Sequence, residues 1–153
     1  MTLQEATKKL EYYCAYQDRC HKDVINKLKG MRMIPAAIDQ IVTHLIQENY
    51  LNEERFAISF ARGKFNHKKW GNVRIKNELK LRNISVYNIK SALNEIESDY
   101  LNVFNEVAEK KWNSTKALPL LKRKRKVLDY LAYRGWETHL IYEKLNELSK
   151  SAN

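Results

Sequence analysis

Glycine and proline are scarce in this chain, at four and two of 153 residues. Val and Thr are sparse too, while Leu, Lys, Asn, Glu and Ile dominate. A turn-rich or strand-rich fold has little to build on, and the composition favours an all-α protein. At this length roughly two-thirds of the unfolded surface can be buried, enough for one domain or a row of small units. Cysteine is equally limited. Cys14 and Cys20 supply neither a disulfide framework nor a metal site. They are expected on either side of a helix end, reduced and partly buried.

Other absences narrow function. The opening "MTLQEATKKL" lacks the apolar core of a signal peptide, and no apolar run approaches the ~18–20 residues of a membrane span. A cytoplasmic protein without membrane contact is expected. His21, His44, His67 and His139 are dispersed, with no metal-ligand spacing to Cys, Asp or Glu. There is no phosphate-binding glycine loop, no dinucleotide fingerprint and no H-E-x-x-H. A metal-dependent nuclease would need carboxylates inside the basic regions, which are nearly free of them. The adjacent Glu53 and Glu54 are accounted for as a helix start. No enzyme, cofactor or metal is expected.

What the chain does contain is helix punctuation. Thr2 with Glu5 forms a capping box, and Leu10, Tyr13, Cys14 and Tyr16 are the apolar positions of the helix that follows. "HKDVINKLKG" reads as a short helix stopped at Gly30 in the left-handed C-cap position. Pro35 suits the first turn of the next helix, whose inward stripe is Ile38, Ile41, Val42, Leu45 and Ile46. Asn52 caps another, with Glu53 and Glu54 at the positive end of its dipole and Leu51 and Phe56 placed for a hydrophobic staple. Further helices begin at Gly71 and Ser85. Asn113–Leu118 is the longest expected loop, with Pro119 starting the helix after it.

Three segments align without a gap: "VINKLKGMRMIPAAIDQIV" from Val24, "IKNELKLRNISVYNIKSAL" from Ile75 and "VLDYLAYRGWETHLIYEKL" from Val127. Leu28, Leu79 and Leu131 coincide, at intervals of 51 and 52 residues. So do Met33, Ile84 and Trp136, then Ile38, Ile89 and Ile141, then Val42, Leu93 and Leu145. Each copy is a helix, a short turn and a helix, preceded by a more divergent first helix. The expected fold is three tandem three-helix, helix-turn-helix-like repeats in an elongated, curved array, at 1–50, 51–97 and 98–153.

The formal charge is +10, and it is segregated. Arg62–Lys90 and Lys110–Arg134 each hold nine basic residues against one acid, Glu78 and Asp129 respectively, so the rest of the chain is net acidic. Both windows cover the approach to the middle helix of a repeat and its body. With Ile75, Leu79, Val127 and Leu131 facing inward, Arg74, Lys76, Lys80, Arg82, Lys122, Arg123, Arg125, Lys126 and Arg134 are expected to face out, with Lys68, Lys69 and Trp70 at the edge. A surface of this kind suits a phosphate backbone or an acidic protein groove. Phe56, Phe60, Phe65, Tyr87, Tyr130 and Trp136 fall near core spacings and are expected to pack. Trp70 is the aromatic expected to offer an exposed contact.

The motifs "YLNEERFA" (Tyr50–Ala57), "GNVRIKNELKLRNI" (Gly71–Ile84) and "LAYRGW" (Leu131–Trp136) resemble those of the RecX family, bacterial regulators of the RecA recombinase. Asn83 stands where the family usually has glycine, and Asn also tolerates the left-handed conformation. The resemblance covers nearly the whole chain and is weakest in the first repeat. It implies a monomer that binds the helical groove of RecA filaments on single-stranded DNA and inhibits ATP hydrolysis, strand exchange and coprotease activity. Duplex DNA is a further expected partner. Tyr50, Leu51, Asn52, Arg55 and Phe56 form the motif that begins the second repeat, and Arg55 is placed to hold one repeat against the next through a carboxylate. The rival reading is a helix-turn-helix regulator acting directly on DNA, with one helix free to enter a major groove.

Overall fold

A computed structural model describes residues 1–151. The described residues form nine α-helices and no strand: α1 (Leu3–Tyr16), α2 (His21–Gly30), α3 (Pro35–Gln47), α4 (Glu53–Gly63), α5 (Asn72–Leu81), α6 (Val86–Glu95), α7 (Tyr100–Ser114), α8 (Leu120–Tyr133) and α9 (Thr138–Ser151). A π-helical turn at Lys64–Lys68 extends α4, and a 3-10 turn at Glu97–Asp99 leads into α7. Helices α1–α3, α4–α6 and α7–α9 form repeats 1, 2 and 3.

Side-chain caps set three of the helix starts. The side-chain oxygens of Thr2, Asn52 and Ser85 accept the backbone N–H of Glu5, Arg55 and Asn88 at 3.1, 2.9 and 3.1 Å. Each satisfies one of the donors that a helix start leaves unpaired. The middle helices α2, α5 and α8 all stop in the same way. The N–H groups of Met33, Ile84 and Trp136 donate to the carbonyls of Leu28, Leu79 and Leu131 at 3.2, 3.1 and 3.2 Å. The residue before each donor has a positive φ: Arg32 at 59°, Asn83 at 59° and Gly135 at 86°. This is the Schellman turn, in which the residue after the left-handed position packs back on the helix. It corrects the expectation for Gly30, which is the last helical residue of α2. The anchor of the turn is Met33, half-buried against the first core, so the left-handed position falls on Arg32.

Two cores result. Repeat 1 encloses its own, around Leu10, Val24, Leu28, Ile41 and Leu45. Repeats 2 and 3 share a second, continuous one that includes Ile75, Leu79, Val127, Leu131, Trp136 and Ile141. Burying each equivalent leucine of the middle helices contributes about 2 kcal/mol. The accessible surface of 9799 Å² exceeds the roughly 8,100 Å² of a compact monomer of this mass, as a row of small units requires.

Repeat 1 is fastened to repeat 2 by residues around the α1–α2 and α3–α4 loops. Cys20, fully buried at the start of α2, belongs to the second core rather than the first. The Arg55 guanidinium donates to Asp18 at 2.8 Å and to the carbonyls of Asn49 and Tyr50, each at 3.1 Å. The His21 N–H donates to Glu53 at 3.2 Å, and Lys22 reaches the Leu81 carbonyl, also at 3.2 Å.

Several packing expectations are corrected. Tyr16 and Tyr87 are both 72% exposed, and Ile46 is 45% exposed. Tyr87 lies two residues before the buried Ile89, about 200° round α6. Tyr16 lies two after the buried Cys14, at the same angle on α1. Leu51 packs into the first core and Phe56 into the second, so the residues expected to staple α4 instead serve two different cores. Helix α7 runs through Ser114, which shortens the loop expected at Asn113–Leu118.

Candidate polyanion-binding surface

The two basic windows meet where the C-terminal turn of α8 abuts the first turn of α5. The Gly71 N–H donates to the Arg134 carbonyl at 2.8 Å and the Val73 N–H to the Gly135 carbonyl at 2.9 Å. The Trp136 indole N–H donates to the Lys69 carbonyl at 3.1 Å. Free donors at one helix start are thus satisfied by free acceptors at the other helix end, and the two dipoles run head to tail. Only glycines permit this approach. A Cβ on Gly71 would lie 2.5 Å from the Gly135 oxygen, and one on Gly135 would lie 2.2 Å from the Arg74 Cβ. Beneath the seam, the buried Tyr100 hydroxyl accepts the Asn72 N–H at 2.8 Å and donates to Glu137. Burial, with the Glu137 carboxylate alongside, raises the Tyr100 pKa well above the ordinary phenol range, which keeps the hydroxyl a donor.

At this seam cations are stacked on aromatic rings. The Arg74 guanidinium lies 4.1 Å from the Trp70 ring centre and 4.7 Å from that of Tyr133, and donates to the Tyr133 carbonyl at 3.1 Å. Arg134 lies 3.6 Å from the Tyr130 ring, which Lys111 also approaches at 4.5 Å. Trp70 is half-buried, edge-on to Phe60, with Lys64 and Arg74 over its ring. It therefore holds cations in place and is not the free contact expected of it.

The twelve expected site residues fall into distinct groups. Lys69, Trp70, Arg74 and Arg134 come together at the seam, whereas Lys68 lines a groove with Arg19 and Arg82 on the side of repeat 1. Lys76 and Lys80 lie exposed along α5, and Lys122, Arg125 and Lys126 lie exposed along α8. The far ends of α5 and α8 are about 15 and 20 Å from the seam, so these exposed cations are spread along two helices and do not converge in a pocket. Arg125 pairs with Asp129 at 3.2 Å. Arg82 is bonded to Glu78 at 2.9 Å and lies 4.8 Å from the Phe60 ring. Arg123 is turned onto its own repeat, donating to the Trp112 carbonyl at 2.9 Å and lying 3.7 Å from the Trp112 ring.

Tyr130, Tyr133, Tyr100 and Glu137 escape a reading based on charge alone. One signal for the first of these lies in the sequence: Trp70 and Arg74, like Tyr130 and Arg134, stand four residues apart. Among the described residues no group of three His, Cys, Asp or Glu side chains could hold a metal ion. No helix described is long and apolar enough to cross a membrane.

Comparison with known proteins agrees with this organisation. The second three-helix domain of RecX matches residues 52–93, and the third matches residues 97–145. The regulatory protein RecX of Yersinia pseudotuberculosis is 35% identical over 103 residues, 67% of this chain but only 55% of that protein. The chain thus spans little more than half of that relative. The regulatory protein RecX of Chlorobium phaeobacteroides is 30% identical over 137 residues, covering 88% of this chain and 87% of its own length. The crystal structure of RecX from Lactobacillus salivarius superposes with a TM-score of 0.78 over 96% of both chains at 22% identity, a likeness of fold. The chain belongs to the RecX family.

Proposed function

We propose that this chain is a negative modulator of the RecA recombinase that acts by occupancy. Its basic track lies in the groove of the RecA filament on single-stranded DNA and hinders ATP hydrolysis, strand exchange and coprotease activity. The observation that carries this reading is the seam between α5 and α8. It brings the ends of the two basic windows together across two repeats, which supports a shared cationic surface suited to a repeating array of anions. The relatives named above are called regulatory proteins, in keeping with action on a partner. Because the surface is cationic, association should be fast and should weaken with salt. The start of α5 is sealed by the α8 turn, so this helix cannot present its first residues to base edges as a recognition helix does.

The test is ATP hydrolysis by RecA on single-stranded DNA with and without stoichiometric protein. The wild type should inhibit, and Lys122→Glu/Lys126→Glu should inhibit less while remaining folded. Undiminished hydrolysis together with tight, sequence-specific duplex binding would replace this reading with that of a DNA-reading regulator.

A further inference from the structure

The most exposed aromatic cluster lies in repeat 1, far from the seam in sequence. Tyr12 and Tyr16 are 73% and 72% exposed, and their rings stack at 6.5 Å with 30° between planes. They stand on the face of α1 opposite the buried Leu10 and Cys14. Two rings of this size left in water and held against each other form an apolar platform that no described residue covers. Lys8 and Lys9 lie one turn before Tyr12 on the same helix, while Arg19 and Lys27 close the groove from the loop after α1 and from α2. Arg19 and Lys27 are themselves fixed over the Tyr13 ring, at 3.7 and 5.5 Å. Among the described residues no carboxylate lines this groove.

We propose that repeat 1 carries a nucleic-acid site of its own, in which Tyr12 and Tyr16 stack unpaired bases while Lys8, Lys9, Arg19 and Lys27 contact the phosphates of the same strand. Planar rings flanked by cations are the elements by which single strands are bound without regard to sequence. A duplex would offer these rings no free base face. Tyr13 and Arg19 also line an adjoining groove that reaches Lys64, Lys68 and Arg82 of repeat 2. The acids of that second groove are already engaged, Asp18 with Arg55 and Asp23 with the Cys20 N–H. A strand leaving the tyrosines thus meets further cations on the way to repeat 2. This site does not rest on regulation of RecA.

The test uses the full chain, no recombinase, and the fluorescence anisotropy of a labelled oligothymidine. A labelled abasic strand of equal length and an unlabelled polyglutamate competitor are run in parallel. Tyr12→Ala/Tyr16→Ala should weaken oligothymidine binding about 30-fold or more, and Tyr12→Phe/Tyr16→Phe should retain it. The abasic strand should bind wild type and the alanine variant alike. Equal binding of oligothymidine by wild type and the alanine variant would overturn the proposal. So would an equal loss on the abasic strand, which would mean the rings only position charge. Displacement of oligothymidine by polyglutamate at matched charge would assign the groove to an acidic peptide instead. All of these outcomes leave the ATP-hydrolysis test above untouched.

Discussion

Gly71→Ala is the sharpest probe of the seam, because the substitution leaves local conformation alone. Gly71 has φ −87° and ψ 176°, a region open to any residue. Whatever alanine costs therefore comes from its methyl group. That carbon would sit 2.5 Å from the Gly135 oxygen and 2.7 Å from both the Gly135 carbon and the Trp136 Cα. All are backbone atoms and cannot rotate away. Restoring ordinary contact moves α5 off the α8 turn by about 1 Å, enough to break bonds now at 2.8 and 2.9 Å. Losing two buried backbone hydrogen bonds, weakening the one from Trp136 and straining the packing comes to about 3–4 kcal/mol. The melting temperature should fall by roughly 6–16 °C. Gly30→Ala is the control. Nothing lies within 4 Å of its added carbon and the residue is helical, so it should stabilise by about 0.5–1 kcal/mol. Urea titration with hydrogen exchange at the Val73 amide reads both effects. If Gly71→Ala melts within about 0.5 kcal/mol of wild type and Val73 stays equally protected, the glycine contact is not what joins the repeats.

Other variants test neighbouring parts of the argument. Arg123→Ala should lose about 1–2 kcal/mol in urea titration, because the guanidinium serves Trp112, while Lys122→Glu/Lys126→Glu should melt within about 0.5 kcal/mol of wild type. Tyr100→Phe should destabilise by about 1–3 kcal/mol, since it leaves the Asn72 N–H and the Glu137 carboxylate unpartnered in a largely buried place; an unchanged urea midpoint would show that water replaces the hydroxyl freely. Burial pushes the Cys20 thiol from 9.0 up to about 11. The unfolded chain loses this proton first, so stability is intact below pH 9 and falls as pH rises towards 11, by up to about 2 kcal/mol. Urea titrations at pH 8 and pH 10.5 should show this drop, and Cys20→Ala should remove that share of it.

The repeats were legible because each copy must bury the same positions. Leu28, Leu79 and Leu131 can be aligned by eye since all three close a middle helix and accept the turn bond that ends it. The helix starts at Asn52 and Ser85 were legible for a similar reason: a cap acts on groups within three residues. What escaped is non-local. Nothing near Gly71 indicates that its partner is Gly135, although these are two of only four glycines and each falls in a family motif. Charge patterning likewise marked the basic windows without telling fixed cations from free ones. Arg123 and Lys122 are neighbours of like charge, yet one bonds to the end of α7 and the other stands in solvent. The same limit hid the tyrosines of repeat 1, because hydrophobicity alone points Tyr16 inward whereas the buried stripe of α1 holds only Ala6, Leu10 and Cys14.

This division of cations bears on how the surface can bind. Arg74 and Arg134 lie at the seam with their planes set by aromatic rings and one N–H spent on a backbone carbonyl in the case of Arg74. A guanidinium has five donors, so Arg74 keeps up to four for a partner, already aimed. An arginine fixed in this way gives up little further rotamer freedom when it meets an anion. The lysines along α5 and α8 stand in solvent and bind as point charges on long, mobile stems. The fixed arginines should therefore set where on the surface a phosphate or carboxylate comes to rest, and the lysines should set how strongly salt weakens binding. Charge reversal along either helix would then change salt dependence most, whereas Arg74→Lys would keep the charge, lose the stacked fork and weaken binding at every salt concentration.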